Sequence, residues 1–189
     1  MDHSEFASIL EAARAGAEWA WSRLYADLAG PVRGYASLRG APDPDDIVGD
    51  TFLQVARNLT RFEGEYEGFR SWVFMVAHHR VVDDRRKRGR RREDPVPVLP
   101  DRGGGRDVES EALAALATAG VLEALEALSP DQRSVVALRF VADLSLRDTA
   151  EILGKRVGAV KSLQKRALDR LAKTLPGAYP DRSSERLRE

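Results

Sequence analysis

The sequence contains no cysteine, which excludes disulfide bonds and thiolate metal ligands. It also has no apolar run close to the roughly 20 residues that a membrane-spanning helix requires. The first five residues carry two acidic side chains and no basic one, unlike the basic and then apolar start of a secretory signal. We therefore expect a cytoplasmic protein that does not insert into membranes.

Net charge is also absent, but the charges are distributed unevenly. The chain has 30 basic and 30 acidic side chains in total. Residues 80–92 hold 8 basic and 2 acidic side chains, and residues 155–173 hold 7 and 1. Two separate basic segments in acidic surroundings predict two separate contacts with nucleic acid. The alternative is that each segment is a solvated helix face.

Aromatic residues are nearly missing from the second half, where only Phe140 and Tyr179 follow Phe74. Between the halves lies a stretch with three prolines and the glycine triplet 103–105, which cannot hold a helix. These features predict two domains joined by a flexible linker. The expected segments are a first domain over residues 1–89, a linker over 90–110, a second domain over 111–175 and a polar tail over 176–189.

Both domains are predicted to be helical, and no strand alternation is visible, so the predicted fold class is all-α. Apolar residues at helical spacing predict one long helix from Phe6 to Leu28. Asp43 and Pro44 have the residue types of a helix cap and a first helical position, and they predict a second helix. A third helix is expected from about Phe69 into the first basic segment.

Four helices are predicted in the second domain. The first covers about 111–128, and Ser129 with Gln132 then forms a predicted capping box that starts the next. Ser145 starts a third helix by the same logic, and the last runs from about Val157 to Leu175.

The last two helices have the features of a helix-turn-helix. Such a motif needs a small residue where its helices cross, a glycine at the turn and apolar residues that fix the second helix. Ala150 and Gly154 supply the first two, and Val157, Val160 and Leu168 are the predicted apolar residues. The outward face would meet phosphates and base edges in duplex DNA. It comprises Arg156, Ala159, Lys161, Ser162, Lys165 and Arg166.

The first basic segment follows a glycine-flanked loop, residues 62–68, which contains Phe62 and Tyr66. Aromatic side chains beside a basic helix suit unstacked single-stranded bases, because every base can stack on a ring. The alternative for Phe62, Tyr66 and Trp72 is core packing, and this alternative is the favoured one for Trp72.

In this order, the aromatic helical domain, the Phe69–Arg88 helix, the linker and the helix-turn-helix resemble the sigma-70 family of bacterial transcription initiation factors, specifically its extracytoplasmic-function (ECF) group. The resemblance covers nearly all of residues 6–175. It implies a sigma factor without catalytic activity or cofactor. Its partners would be promoter DNA and core RNA polymerase, bound at the clamp helices of the largest subunit and at the flap of the other large subunit. An anti-sigma factor is a further candidate partner.

The resemblance also implies roles for individual residues. Contacts to the −35 element are expected from the outward face of the last helix. Contacts to the −10 element are expected from Phe62, Tyr66, Arg80, Asp84 and Arg85, and polymerase contacts from Asp46, Asp50, Leu53 and Gln54.

Several residues depart from the family's pattern. Gly49 stands where the family often has glutamine, and His79 where asparagine is common. Lys155, Arg156, Ala159 and Leu163 also depart from the usual recognition helix, which leaves the base readout and the promoter sequence open.

Two other classes of function compete with this interpretation. Clustered Asp43, Asp45, Asp46 and Asp50 could hold Mg²⁺ in a nuclease, although the first three are explained as residues at a helix start. Alternatively, the helix-turn-helix could belong to a dimeric repressor or to a response regulator with an unrelated helical sensor. Mixing the chain with core polymerase and testing for promoter-dependent transcription distinguishes these classes.

Overall fold

The computed structural model describes residues 3–91 and 123–174, and every regular element within these ranges is helical. The first range contains α1 (His3–Arg14), α2 (Glu18–Leu38), α3 (Pro44–Asn58), a 3₁₀ turn (Leu59–Arg61) and α4 (Tyr66–Arg91). In the second range, residues 123–126 are helical, followed by α5 (Pro130–Val136), a π-helical segment (Ala137–Val141), α6 (Leu146–Ile152) and α7 (Val157–Thr174).

Three predicted segments fall wholly or largely outside the described residues. They are the linker beyond its first two residues, most of the helix expected over 111–128, and the C-terminal tail. Within the described ranges, no helix is both long and apolar enough to cross a bilayer.

The prediction of one long helix from Phe6 to Leu28 is wrong, because the chain forms two helices there. Gly16 adopts a φ of +83°, a left-handed conformation that ends α1 and that glycine adopts without strain. The apolar spacing continues across the break because α1 and α2 face the same core. The indole Nε1 of Trp21 in α2 donates to the carbonyl of Ala13 in α1 at 3.0 Å.

The predicted start of α3 is confirmed. The Asp43 carboxylate accepts hydrogen bonds from the backbone amides of Asp45 and Asp46, both at 3.0 Å, and Pro44 is the first helical residue. Helices α1–α4 then enclose an apolar core. Its largest fully buried members include Phe6, Leu24, Leu28, Tyr35, Phe69 and Phe74.

In the second domain, the predicted capping box is present. The amide of Gln132 donates to Ser129 Oγ at 3.3 Å, and the amide of Ser129 donates to Gln132 Oε1 at 2.9 Å. Ser145 caps α6 in a similar way, since its hydroxyl accepts from the amide of Asp148 at 3.1 Å. These side chains satisfy amides that the first turn of a helix leaves unpaired.

The two domains pack against each other, which the sequence did not reveal. Leu138, Ala142, Leu144 and Ile152 of the second domain belong to the same buried cluster as the core of the first. Both domains therefore share one continuous apolar core in this structure.

Candidate nucleic-acid interface

The turn between α6 and α7 has the geometry of a helix-turn-helix. Ala150 is buried at the helix crossing, and its carbonyl accepts from the amide of Lys155 at 2.8 Å. Gly154 has a φ of +61°, which the turn requires and which L-residues with side chains adopt at a cost. Lys155 also forms an ion pair with Asp131 of α5 at 2.9 Å, so the turn is tied to the start of α5.

Of the three apolar residues predicted to hold α7 in place, two were predicted wrongly. Val160 is fully buried, but Val157 is 40% exposed and Leu168 is 38% exposed. Leu163 packs on the Val135–Ala150–Val160 cluster instead, and Ala167 packs with Leu128 and Val136. The buried stripe of α7 therefore runs through residues 160, 163 and 167, at helical spacings of three and four.

All six side chains predicted for the outward face of α7 are exposed. Three of them make contacts only along their own helix. Ser162 donates to the carbonyl of Gly158 at 3.0 Å, and Arg166 Nε donates to the carbonyl of Ser162 at 3.2 Å. Lys165 lies 3.5 Å from Asp169, an exposed pair that contributes little to stability. The face is therefore cationic and can exchange these weak contacts for phosphates and base edges.

A second candidate surface is an open cleft of about 590 Å³ beside the 3₁₀ turn. Its wall contains Phe62 and Trp72, whose rings stack with centroids 5.3 Å apart and an interplanar angle of 14°. Both side chains are half-buried, so Trp72 is not the full core residue that the sequence favoured. Polar groups complete the cleft, and with the apolar wall they suit an unstacked base, which offers a ring face and a hydrogen-bonding edge. They belong to Gln54, Asn58, Arg61 and Glu63.

Tyr66 does not line this cleft, although the sequence paired it with Phe62. The side chain is buried and packs edge-on against Phe6 with ring centroids 5.6 Å apart. Its hydroxyl donates to the carboxylate of Asp27, and burial together with that carboxylate raises the Tyr66 pKa to about 12. Stacking of Tyr66 on a base would require it to leave the core, so this structure places Tyr66 in core packing rather than beside the cleft.

The three charged residues predicted for the −10 contact occupy different environments. Arg80 donates to Gln54 Oε1 at 2.9 Å, which places its guanidinium beside the cleft. Asp84 forms an ion pair with Arg88 at 2.9 Å, whereas Arg85 is exposed. The structure therefore links Arg80 to Gln54, a residue that lines the cleft, but Asp84 and Arg85 do not line it.

The predicted polymerase surface lies on the outer side of α3. Asp46 and Asp50 are exposed and Leu53 is 57% exposed, whereas Gln54 is half-buried through its bond to Arg80. Sequence reasoning missed Tyr25, a 46% exposed residue of α2 whose ring lies 4.8 Å from that of Phe52. The sequence did contain a signal for the exposure of Tyr25. This residue directly follows the buried Leu24, and adjacent residues of a helix point in different directions, so Tyr25 lies outside the apolar stripe.

The acidic cluster at the start of α3 is used structurally. Asp43 caps the helix, and Asp45 accepts a hydrogen bond from Arg33 Nε at 2.6 Å. Among the described residues, no group of three or more histidine or acidic side chains has an arrangement that could hold a metal ion. These contacts account for the carboxylates of Asp43 and Asp45, two of the four on which the nuclease alternative depended, whereas Asp46 and Asp50 are exposed.

His78 is a half-buried titratable group next to the first domain's core. Its Nδ1 lies 2.7 Å from the hydroxyl of Tyr35. Burial, followed by the nearby Arg39 and His79, lowers the His78 pKa to about 4, so the ring is neutral near pH 7. Burial also raises the Tyr35 pKa to about 12.

Comparison with known proteins agrees with this geometry. Residues 22–91 match the family profile of sigma-70 region 2, and residues 124–173 match that of sigma-70 region 4. Over 178 residues the chain is 33% identical to the ECF RNA polymerase sigma factor BldN of Streptomyces coelicolor, which covers 93% of this chain and 67% of BldN. It is 36% identical over 147 residues to the RNA polymerase sigma-E factor of Streptomyces antibioticus, covering 74% and 78% of the two chains.

A solved structure shows the same fold. The sigma factor RpoE of Bartonella quintana, crystallised with the anti-sigma factor NepR, aligns with a TM-score of 0.64. The alignment covers 84% of this chain and 98% of that one at 24% identity.

Proposed function

Because this chain belongs to the sigma-70 family and is an ECF RNA polymerase sigma factor, we propose which promoter element each of its two candidate surfaces contacts. The family's function is to direct core RNA polymerase to promoters, and it is not an enzymatic one. The observation that supports this assignment is the contrast between the two surfaces. One is an exposed cationic helix, whereas the other is a cleft with stacked rings and a polar rim.

The α7 face contacts the −35 element while it is still duplex DNA. A helix that follows a tight turn can enter the major groove, where its first residues reach base edges. Arg156, Lys161, Lys165 and Arg166 supply positive charge for phosphates or guanines, and Ser162 supplies a hydroxyl. Ala159 leaves room for close approach or contacts a thymine methyl group.

The cleft beside Phe62 receives a base of the −10 element after the strands separate. A base that leaves the duplex loses its stacking partners, and an exposed ring can replace one of them. The Phe62–Trp72 pair supplies that ring, while Asn58, Arg61 and Gln54 offer donors and acceptors to the base edge. Arg80, held beside the cleft by Gln54, is placed to meet the adjacent phosphate.

The outer side of α3 binds core polymerase. Exposed Asp46 and Asp50 flank one face of the helix, and Leu53 presents an apolar side chain that water does not favour. Exposed Tyr25 extends this apolar area on α2. A largest-subunit surface with basic and apolar side chains would complement it.

The decisive experiment is core binding by the double variant Asp50→Arg with Leu53→Ala. Both positions are exposed, so the helical content should stay the same while affinity for core polymerase falls at least a hundredfold. Glu11→Arg, a charge reversal at an exposed residue of α1, serves as the control. Unchanged affinity of the double variant would remove α3 from the polymerase interface, and failure of the unaltered chain to bind core would contradict the functional proposal itself.

We extend the proposal to an anti-sigma factor as a further partner, because the same fold forms such a complex in RpoE of B. quintana. Since polymerase and promoter DNA are its targets, the chain acts in the bacterial cytoplasm.

A further inference from the structure

Arg14, the last residue of α1, reaches from this helix to the short turn that precedes Phe62. Its Nε donates to the carbonyl of Leu59 at 3.4 Å, and its Nη2 donates to the carbonyl of Phe62. These contacts join chain positions that are 45 and 48 residues apart. The guanidinium therefore bridges two carbonyls of one turn, which suits its planar fork of donors.

The two carbonyls lie at the two ends of the 3₁₀ turn. Leu59 is its first residue and is buried in the core, while Phe62 directly follows the turn. The carbonyl of Leu59 also accepts from the amide of Phe62 at 3.2 Å, the bond that closes the turn. Carbonyls near the end of a helical segment carry partial negative charge, so a cationic donor at this place stabilises the turn.

The Phe62 ring itself is held by a different set of contacts. It stacks on Trp72, and it packs edge-on against Phe69 with ring centroids 5.3 Å apart. The loop also passes close to the ring, because a Cβ added at Gly64 would lie 3.3 Å from Phe62 Cζ. Helix α4 and the loop thus fix the ring, whereas Arg14 fixes the backbone from which the ring projects.

Arg14 can influence the cleft without belonging to it. The side chain is exposed, and it is not among the residues that line the cleft. Helix α1 also precedes residue 22, where the match to the region 2 profile begins. Removal of the Arg14 donors would leave the apolar core intact and free the turn. A ring that moves freely must lose that freedom when a base stacks on it, which weakens binding.

We propose that Arg14 is a positioning residue for strand opening. By bridging the carbonyls of Leu59 and Phe62, it holds the Phe62 ring in the place where that ring captures an unpaired base of the −10 element. The inference rests on the proposed function, since it deepens the role assigned to the cleft. In this role Arg14 acts through the ring and does not contact DNA itself.

The first test follows promoter opening by holoenzyme that contains Arg14→Met, a change that keeps a long side chain but removes its donors. Permanganate footprinting should show at least threefold slower opening, while closed complexes form normally and a pre-melted bubble restores the rate. Arg23→Met is the matched control, because Arg23 is an exposed arginine of α2 that pairs with Glu5 at 3.0 Å. This control should open promoters at the normal rate.

The double variant Arg14→Met with Phe62→Leu separates positioning from a direct contact with a phosphate. If Arg14 acts through the ring, its loss should slow opening by less than a further twofold once the ring is gone. Additive effects would overturn the inference, and so would normal opening by Arg14→Met beside slow opening by Phe62→Leu. If Phe62→Leu itself opens promoters normally, the base-stacking proposal fails and the inference fails with it.

Arg14→Lys tests whether the fork is needed or the charge alone suffices. Lysine keeps the positive charge but lacks the planar fork that bridges two carbonyls, so opening should remain slower than in the unaltered chain. A normal rate in Arg14→Lys would overturn the bridging role.

The second test observes the ring in the free chain through nuclear Overhauser effects, without polymerase or DNA. Arg14→Met should weaken the effects between the rings of Phe62 and Trp72 at least twofold. Effects between the buried rings of Tyr35 and Phe74, whose centroids are 5.9 Å apart, should stay constant and report an intact fold. Unchanged effects between Phe62 and Trp72 would overturn the inference. An equal loss at both pairs would show that Arg14→Met unfolds the chain, and Arg14→Lys then decides both tests.

Discussion

At the scale of single residues, Phe62 in the loop before α4 and Tyr66 at the start of α4 differ in what surrounds them. Phe62 borders an open cleft and stacks on Trp72, whereas Tyr66 is buried and bonded to Asp27. Substitutions at these positions should therefore separate strand opening from stability.

We predict that Phe62→Leu slows strand opening at the −10 element while closed complexes form normally. Leucine keeps apolar bulk but removes the ring face, and a lost stack on a base is worth roughly 1–3 kcal/mol. Permanganate footprinting should show at least a tenfold slower opening, which a pre-melted bubble rescues. Tyr66→Phe, the matched control, should open promoters normally but unfold about 1 kcal/mol more easily, because it loses the bond to Asp27. A Phe62→Leu defect that a bubble does not rescue would contradict base stacking.

The second residue-scale prediction concerns pH and His78. Its pKa falls from an ordinary value of 6.5 to about 4 in the folded chain, so above pH 6.5 the ring is neutral whether folded or not. Below pH 6.5 the His78 ring binds a proton in the unfolded chain but not in the folded chain. The free energy of unfolding therefore falls progressively toward pH 4. We expect a loss of about 1–2 kcal/mol after allowance for partial exposure.

Chemical denaturation between pH 7 and pH 4.5 measures this effect. His78→Gln should flatten the decline, whereas His79→Gln should keep most of it, because His79 is the smallest of the three causes of the low His78 pKa. An identical slope in the His78→Gln variant would assign the acid sensitivity to other groups.

At the scale of secondary-structure elements, replacement by alanine should have opposite effects on stability at Gly154 in the turn and at Gly158 in α7. Gly154 has a left-handed φ, whereas Gly158 lies in the first turn of α7, and an added Cβ at either position meets nothing within 4 Å. We predict that Gly154→Ala destabilises the protein by about 1 kcal/mol through backbone strain. Gly158→Ala should stabilise it by up to about 1 kcal/mol, because alanine favours helix. Thermal unfolding compares the two, and equal effects would contradict the strain argument.

The other element-scale prediction concerns the cationic face of α7. Lys165→Ala and Arg166→Ala should each weaken holoenzyme binding to a duplex −35 element. The salt dependence of binding should fall by about one unit of slope for each lost phosphate contact. Lys173→Ala near the end of the helix is the charge-matched control and should leave the slope unchanged. An equal effect of all three substitutions would indicate non-specific electrostatic attraction to DNA rather than a helix docked in the groove.

Helix starts were predictable from the sequence, whereas one helix break and part of a buried stripe were not. Asp43, Ser129 and Ser145 each place a side-chain oxygen beside free amides, so local chemistry alone determines those starts. The break at Gly16 was hidden because the apolar spacing continues across it. The stripe of α7 was misassigned because Val157 and Leu168 are apolar, while the small Ala167 occupies the buried position.

At the scale of the whole molecule, the all-helical fold and the order of the two sigma-70 regions were predictable, but the packing between domains was not. The apolar residues of the second domain, such as Leu138 and Leu144, were consistent with a core of their own. Nothing in the spacing shows that they instead contact α2 and α4. Arg39 and Arg70 of the first domain donate hydrogen bonds to the carbonyls of Pro130 and Ala142 in the second. Such bonds also leave no trace in the sequence, because every residue has a carbonyl.

The apolar core that the two domains share has a consequence for fragments of the chain. Leu138, Ala142, Leu144 and Ile152 are buried in the same cluster as the core of the first domain. A fragment that keeps only one domain would expose the apolar side chains that the other domain now covers, and exposed apolar patches of this kind promote aggregation. Either domain by itself would therefore be less soluble than the whole chain.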